Sequence, residues 1–148
     1  MDPIMAIARK HGLQGAVLSV KLKHLPTWNQ ARREKAMMYN DLLFGIDSLV
    51  LPYAADDAKH VYHAYAVRTQ NRDGLLKYLA DEDIYCGIHY PVPIHLQTAY
   101  SNKRIKNNSL KVSERVAREL LSLPMFPELC DEQQKKVKDK IKEFLSTF

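Results

Sequence analysis

The densest grouping of residues able to do chemistry is the run Gly87-Ile88-His89-Tyr90-Pro91-Val92-Pro93-Ile94-His95-Leu96-Gln97. Its two prolines hold the backbone extended or turning, so two imidazoles, a phenol and an amide are carried on a stiff loop, as a ligand-facing loop requires. The same residues would also suit a proline-stiffened loop whose histidines are merely hydrogen-bonded. A metal shell would draw on His89 and His95, but the run contains neither a carboxylate nor a thiol to complete it. His60 and His63 flank Tyr62 with no nucleophile as partner, and one of the two is expected to face inward. Ser19, Ser48 and Ser113 lie outside any Gly-x-Ser-x-Gly setting, and no glycine-rich phosphate loop is present.

A loop of this kind needs a sheet and helices to hold it. With 148 residues, 46% hydrophobic and 26% charged, the chain has the composition of one globular domain or a piece of one. Asp2 before Pro3, with Gly12 closing the stretch, predicts a short N-terminal helix. Leu13, Ala16, Val17 and Val20, widened by Leu18, Leu22 and Leu25, predict a second helix buried on more than one side. Pro26 interrupts it, and a third helix runs to about Phe44. Leu49–Leu51, the alternation from Val61 to Val67, and Tyr85–Tyr90 read as strands. Residues 72–80, 112–123 and 131–147 read as helices, the last opened by an Asp131/Gln134 capping box. The expected fold is α+β: a small, largely antiparallel sheet packed by helices and preceded by a long connecting helix.

The net charge of +5 is distributed in blocks: +5 over residues 1–35, −4 over 36–100, +5 over 101–118 and −1 over 119–148. The block Lys103, Arg104, Lys106 and Lys111 could attract phosphate. Asparagines surround it, no aromatic beyond Tyr100 interleaves it, and no stacking module accompanies it, so a nucleic-acid partner is not expected. No apolar run reaches the roughly 18 residues of a membrane span, and Met1 to Gly12 has no signal-peptide core. Cys86 and Cys130, far apart, read as free thiols of a reducing cytoplasm.

The run GIHYPVPIHLQ at 87–97, HVYHAYAVR at 60–68, and SLPMFPEL followed by DEQQKKVKDKIKEFL at 122–145 resemble the C-terminal region of the DegT/StrS family. These are pyridoxal-phosphate-dependent aminotransferases acting on nucleotide-linked keto sugars. LQGAVLSVKLKHL and WNQARREKAMMYNDLL at 13–43 resemble the long connecting helix that leads into that region. MDPIMAIARKHGL at 1–13 is similar to an earlier helix of the large domain, next to the cofactor strand. The resemblance implies a remnant of the large domain at 1–12, the connecting helix at 13–44 and a C-terminal small domain at 45–148.

The resemblance also implies what this sequence lacks. In the family, the segment like 1–12 leads to a strand with the aspartate that pairs with the pyridine nitrogen, then to a Ser-Phe stretch with the Schiff-base lysine. Here Gly12-Leu13-Gln14 passes straight to the connecting helix, and Lys10, Lys21 and Lys23 follow no Ser-Phe motif. Transamination needs that amine, that carboxylate and phosphate anchors, so no catalytic residue and no cofactor is expected for this chain alone. The substrate-side candidates by resemblance are His89, Tyr90 and His95. Asp83 stands where the family usually turns with glycine, and Cys86 near a usual small hydroxyl residue. The leading expectation is a truncated homologue, inactive by itself. The alternatives are a chain that completes a site with a polypeptide carrying the large domain, and a non-catalytic interaction module. The apolar residues of 4–25 are expected to pair with a second copy or with an aminotransferase relative.

Overall fold

Residues 3–100 and 110–147 are described in the computed structural model, with side chains from Gly12 onward. The sheet is a short antiparallel pair, β1 (Tyr65–Arg68) and β2 (Leu120–Leu123), with Tyr65 opposite Leu123 and Val67 opposite Leu121. Single bridges widen it on both sides, Val50 to Arg68 beyond β1 and Gly87 to Ser122 beyond β2. The helices are α1 (Pro3–Leu22), α2 (Leu25–Leu43), α3 (Arg72–Asp81), α4 (Lys111–Glu119) and α5 (Asp131–Ser146). Tyr65, Val67, Leu121 and Leu123 turn one face of the sheet into a core shared with Tyr39 and Leu43 of α2, Leu75 and Leu79 of α3, and Val137 and Ile141 of α5. This is the expected α+β layer.

The differences in detail have physical causes. The strand expected from Val61 begins only at Tyr65, because Tyr62 adopts a left-handed conformation (φ 49°) and its amide donates to His60 Nδ1 at 3.0 Å. His60 and His63 both stay exposed, so neither faces inward. The segments 49–51 and 85–90 contribute one bridge each rather than full strands. The helix expected over 112–123 ends at Glu119, and Leu120–Leu123 is the inner strand of the sheet. An apolar run this short fits a buried strand as well as a helix; here the backbones of Arg68 and Gly87 on either side decide it. At α5 the capping box is Cys130 with Gln133, whose side chain accepts the Cys130 amide at 2.9 Å. Gln134 is turned inward instead, fully buried and donating to the Lys35 carbonyl of α2 at 2.9 Å.

No break occurs at Gly12: α1 runs through it to Leu22, and the chain turns at 23–24 before α2. Residues 12–25 are exposed throughout, with Leu13 at 71% and Leu22 at 66%, so the helix expected to be buried shows its apolar residues to solvent. Asp2 and the basic residues Lys103, Arg104 and Lys106 lie outside the described residues. No helix among the described residues is long and apolar enough to cross a membrane.

The C-terminus of α3 shows how local sequence sets up the loop that follows. The Asp83 amide donates to Ala80 at 3.1 Å and the Ile84 amide to Leu79 at 2.8 Å, the pair of bonds that closes a helix through a left-handed residue. Asp83 has φ 60°, the conformation glycine adopts without a Cβ penalty. Ile84 and Leu79 are both buried, which fixes the exit angle and sends residues 85–89 along the outer edge of β2.

Candidate functional site

Ser122 is the anchor of the site. Its amide donates to the Gly87 carbonyl at 2.8 Å, its carbonyl accepts the Gly87 amide at 3.0 Å, and its hydroxyl meets His89 Nδ1 at 3.0 Å. One residue of β2 therefore holds both the backbone and the first imidazole of the 87–97 run. Gly87 is required for this geometry, since a Cβ there would lie 2.7 Å from the His89 ring. Beyond Pro91 and Pro93, a single turn at Ile94–Leu96 brings His95 against the start of α4. Its Nε2 lies 3.1 Å from Glu114 Oε1, and only 5% and 6% of the two side chains are exposed.

The loop and α4 line an open cavity of about 750 Å³, of the size that takes small organic ligands. His89, Tyr90 and His95 all line it, so the three candidates drawn from the sequence share one wall. Val92, Pro93, Ile94, Val116 and Leu120 make most of the rest apolar, and Gln97, Tyr100 and Ser113 add neutral polar groups. Tyr90 is 75% exposed at the rim. Arg72 steadies the far end of α4, donating to the Ala117 and Leu120 carbonyls at 3.3 and 3.1 Å, where a cation suits the negative end of the helix. Arg68 pairs with Glu119 at 3.3 Å. Cys86 lies beside this loop, and burial pushes its thiol up to about 12.

Glu114 and Ser122 are the site residues that the sequence did not point to. Reading 112–123 as one amphipathic helix put Ser122 on a helix face, whereas it sits in the strand that carries the loop. Glu114 is buried while Val112, expected on the inner stripe, is 66% exposed. The available signal was that Glu114 stands three residues before Ala117, one helical turn away on the face that turns inward.

The described lining contains no lysine for a Schiff base and no carboxylate for a pyridinium nitrogen; its polar groups are the Ser113, Tyr90 and Tyr100 hydroxyls, the Gln97 amide and the two imidazoles. The described lining does not fit pyridoxal phosphate. Among the described residues, no group of three or more His, Cys, Asp or Glu comes together to hold a metal.

The comparison with known proteins gives the family: residues 1–142 match the DegT/DnrJ/EryC1/StrS aminotransferase family, and the chain belongs to it. It is 41% identical over 143 residues to the pleiotropic regulatory protein of Geobacillus stearothermophilus, covering 95% of this chain and 38% of that one. It is 39% identical over 137 residues to the dTDP-3-amino-3,4,6-trideoxy-alpha-D-glucose transaminase of Streptomyces venezuelae, covering 93% of this chain and 36% of the relative. Among solved structures, that of S. venezuelae DesV in complex with a ketimine intermediate superposes with a TM-score of 0.85 at 39% identity, over 89% of this chain and 36% of that one. A family aminotransferase from Brucella abortus gives 0.80 at 37% identity, over 88% of this chain and 35% of that one. The chain thus spans little more than a third of the length of these relatives.

Proposed function

We propose that this chain is the small-domain unit of a nucleotide-sugar aminotransferase of its family, supplying the substrate-side loop of a site and performing no transamination on its own. The observation that carries this reading is the cavity between residues 87–97 and α4, which gathers His89, Tyr90 and His95 but contributes no amine, carboxylate or phosphate cradle from its described lining. In this reading residues 1–12 correspond to a piece of the large domain, 13–44 to the connecting helix and 45–148 to the small domain. The nucleotide-sugar substrate follows from the relatives. Two free thiols, Cys86 and Cys130, support a reducing cytoplasmic setting.

The exposed side chains of α1 support a pairing surface. At 100° per residue, Leu13, Val17 and Val20 form one stripe of the helix and Leu18 and Leu22 a second one roughly opposite, with Leu25 following at the start of α2. All six are more than 40% exposed. Such area marks an interface between chains, here with a second copy or with an aminotransferase relative through residues 4–25. The catalytic reading is tested by assaying the chain for amino transfer from glutamate to a nucleotide-linked keto sugar, with pyridoxal phosphate added. No turnover above the protein-free rate is expected; saturable turnover by the purified chain would overturn the proposal.

A further inference from the structure

We infer that the outward face of α4 is a docking surface for an acidic segment of another polypeptide, held by Lys111, Arg115 and Arg118. At 100° per residue the three fall within an arc of about 60° and span about 10 Å along the helix. All three are exposed and line a cleft of about 340 Å³. Ser113, Val116 and Leu120, which line the cavity, lie on the opposite side of α4. The surface is therefore separate from the 87–97 site and does not rest on the function proposed for it.

The described chain leaves this charge unanswered. None of the three cations forms an ion pair with a described residue. The two carboxylates within one turn of them are engaged elsewhere. Glu114 is turned inward, 3.1 Å from His95 and 6% exposed, and Glu119 lies 3.3 Å from Arg68. The preceding stretch 101–109 contains Lys103, Arg104 and Lys106 and no acidic residue, so it adds to the positive charge wherever it lies. The pattern also works against its own helix. Lys111 with Arg115, and Arg115 with Arg118, are like charges one turn apart, and Lys111 opens α4 at the positive end of its dipole. A row of cations that weakens the helix carrying it points to a contact made with another molecule.

The face selects its occupant. Val112, 66% exposed in the same cleft, offers apolar contact that a polypeptide side chain can cover. The row matches carboxylates spaced i, i+4 and i+7 on a partner helix, whereas a single phosphate group meets only part of it. Neither the described cleft nor the sequence 101–109 contains an aromatic ring on which a nucleic-acid base could stack.

The test titrates the full chain with two synthetic helical peptides of one composition. The first aligns three glutamates at i, i+4 and i+7 beside leucine; the second spreads the same glutamates round the helix. The aligned peptide is expected to bind saturably, with amide NMR shifts centred on α4. Binding is expected to weaken about 2–30-fold in Arg115→Gln/Arg118→Gln, the value of two exposed charge contacts. Arg32→Gln/Arg33→Gln on α2 removes the same net charge and is expected to leave binding unchanged. Thermal unfolding gives an independent readout: Arg115→Gln, relieved of two like-charge neighbours, is expected to melt no lower than the parent. A lower melting temperature would give Arg115 a role inside the chain and overturn the inference. Equal binding of the two peptides, an equal loss in the α2 variant, or no saturable binding overturns the docking surface. Tighter binding of a short DNA duplex than of the aligned peptide overturns it in favour of a nucleic-acid partner.

Discussion

Ile141→Ala and Leu120→Ala distinguish the observed fold from the one suggested by helical periodicity. Ile141 is fully buried where α5 meets the core, and truncating it removes three methyl-sized groups and leaves a cavity bounded by helix and sheet. The expected cost is about 2–5 kcal/mol, a large part of the roughly 5–15 kcal/mol that holds a domain together. With a urea slope of about 1.5 kcal/mol/M, the midpoint falls by about 1.3–3.3 M. Leu120 is only partly buried, at the junction of α4 and β2, where its carbonyl accepts from Arg72 and its backbone pairs with Arg68. Those bonds survive truncation to alanine, so its cost stays below about 2 kcal/mol. In a helix continuing to 123, Leu120 would instead be a core residue of the amphipathic stripe, equal to Ile141. Urea unfolding followed by far-ultraviolet circular dichroism measures both. Equal midpoint losses would refute the strand at 120–123 and the core drawn around it.

Other expectations follow from individual contacts. Lys35, 2.9 Å from Asp131, holds that carboxyl below its usual range, and Lys140 does the same for Glu143. A carboxylate with a lowered folded-state value stabilises above its unfolded value and loses that contribution as pH falls through the folded one. Acid unfolding below about pH 4 is therefore shallower in Lys35→Ala than in the parent, and identical acid limbs would contradict the pairing. Because burial raises the Cys86 thiol to about 12, iodoacetamide at pH 8 should label exposed Cys130 first, as peptide mapping would show; faster labelling of Cys86 would refute its placement. Asp83→Gly removes a Cβ from a left-handed residue and should raise stability by up to about 1 kcal/mol in the same urea assay; a clear loss would contradict the helix-closing turn. Val17→Glu with Leu22→Glu should turn an associating chain into a monomer by light scattering, whereas a parent that is already monomeric at high concentration would defeat the pairing surface.

The α+β class, the helices apart from the break at Gly12 and the end at 123, and the 87–97 loop with its four polar side chains were legible because each rests on a local signal: periodicity, proline, or a run of unusual polar density. What escaped reading depended on partners distant in sequence. Leu120–Leu123 is a strand because Arg68 and Gly87 flank it, and no window around it contains that information. The late start of the first strand, at Tyr65, turns on a left-handed residue at Tyr62 that alternation alone does not reveal. Glu114 looks like a solvated charge until His95, 19 residues earlier, is folded onto it. For α1 the apolar pattern predicts a helix buried on more than one side, whereas residues 12–25 are exposed throughout, because no other described element of the chain packs over them.

The most direct measurement of the central claim is the absorbance spectrum of the purified chain with pyridoxal phosphate, followed by borohydride reduction and peptide mapping. A chain that supplies the substrate-side loop without a cofactor site gives only weak, scattered lysine adducts, each well below one per chain. A single stoichiometric adduct at one lysine, abolished when that lysine is changed to alanine, would contradict the account.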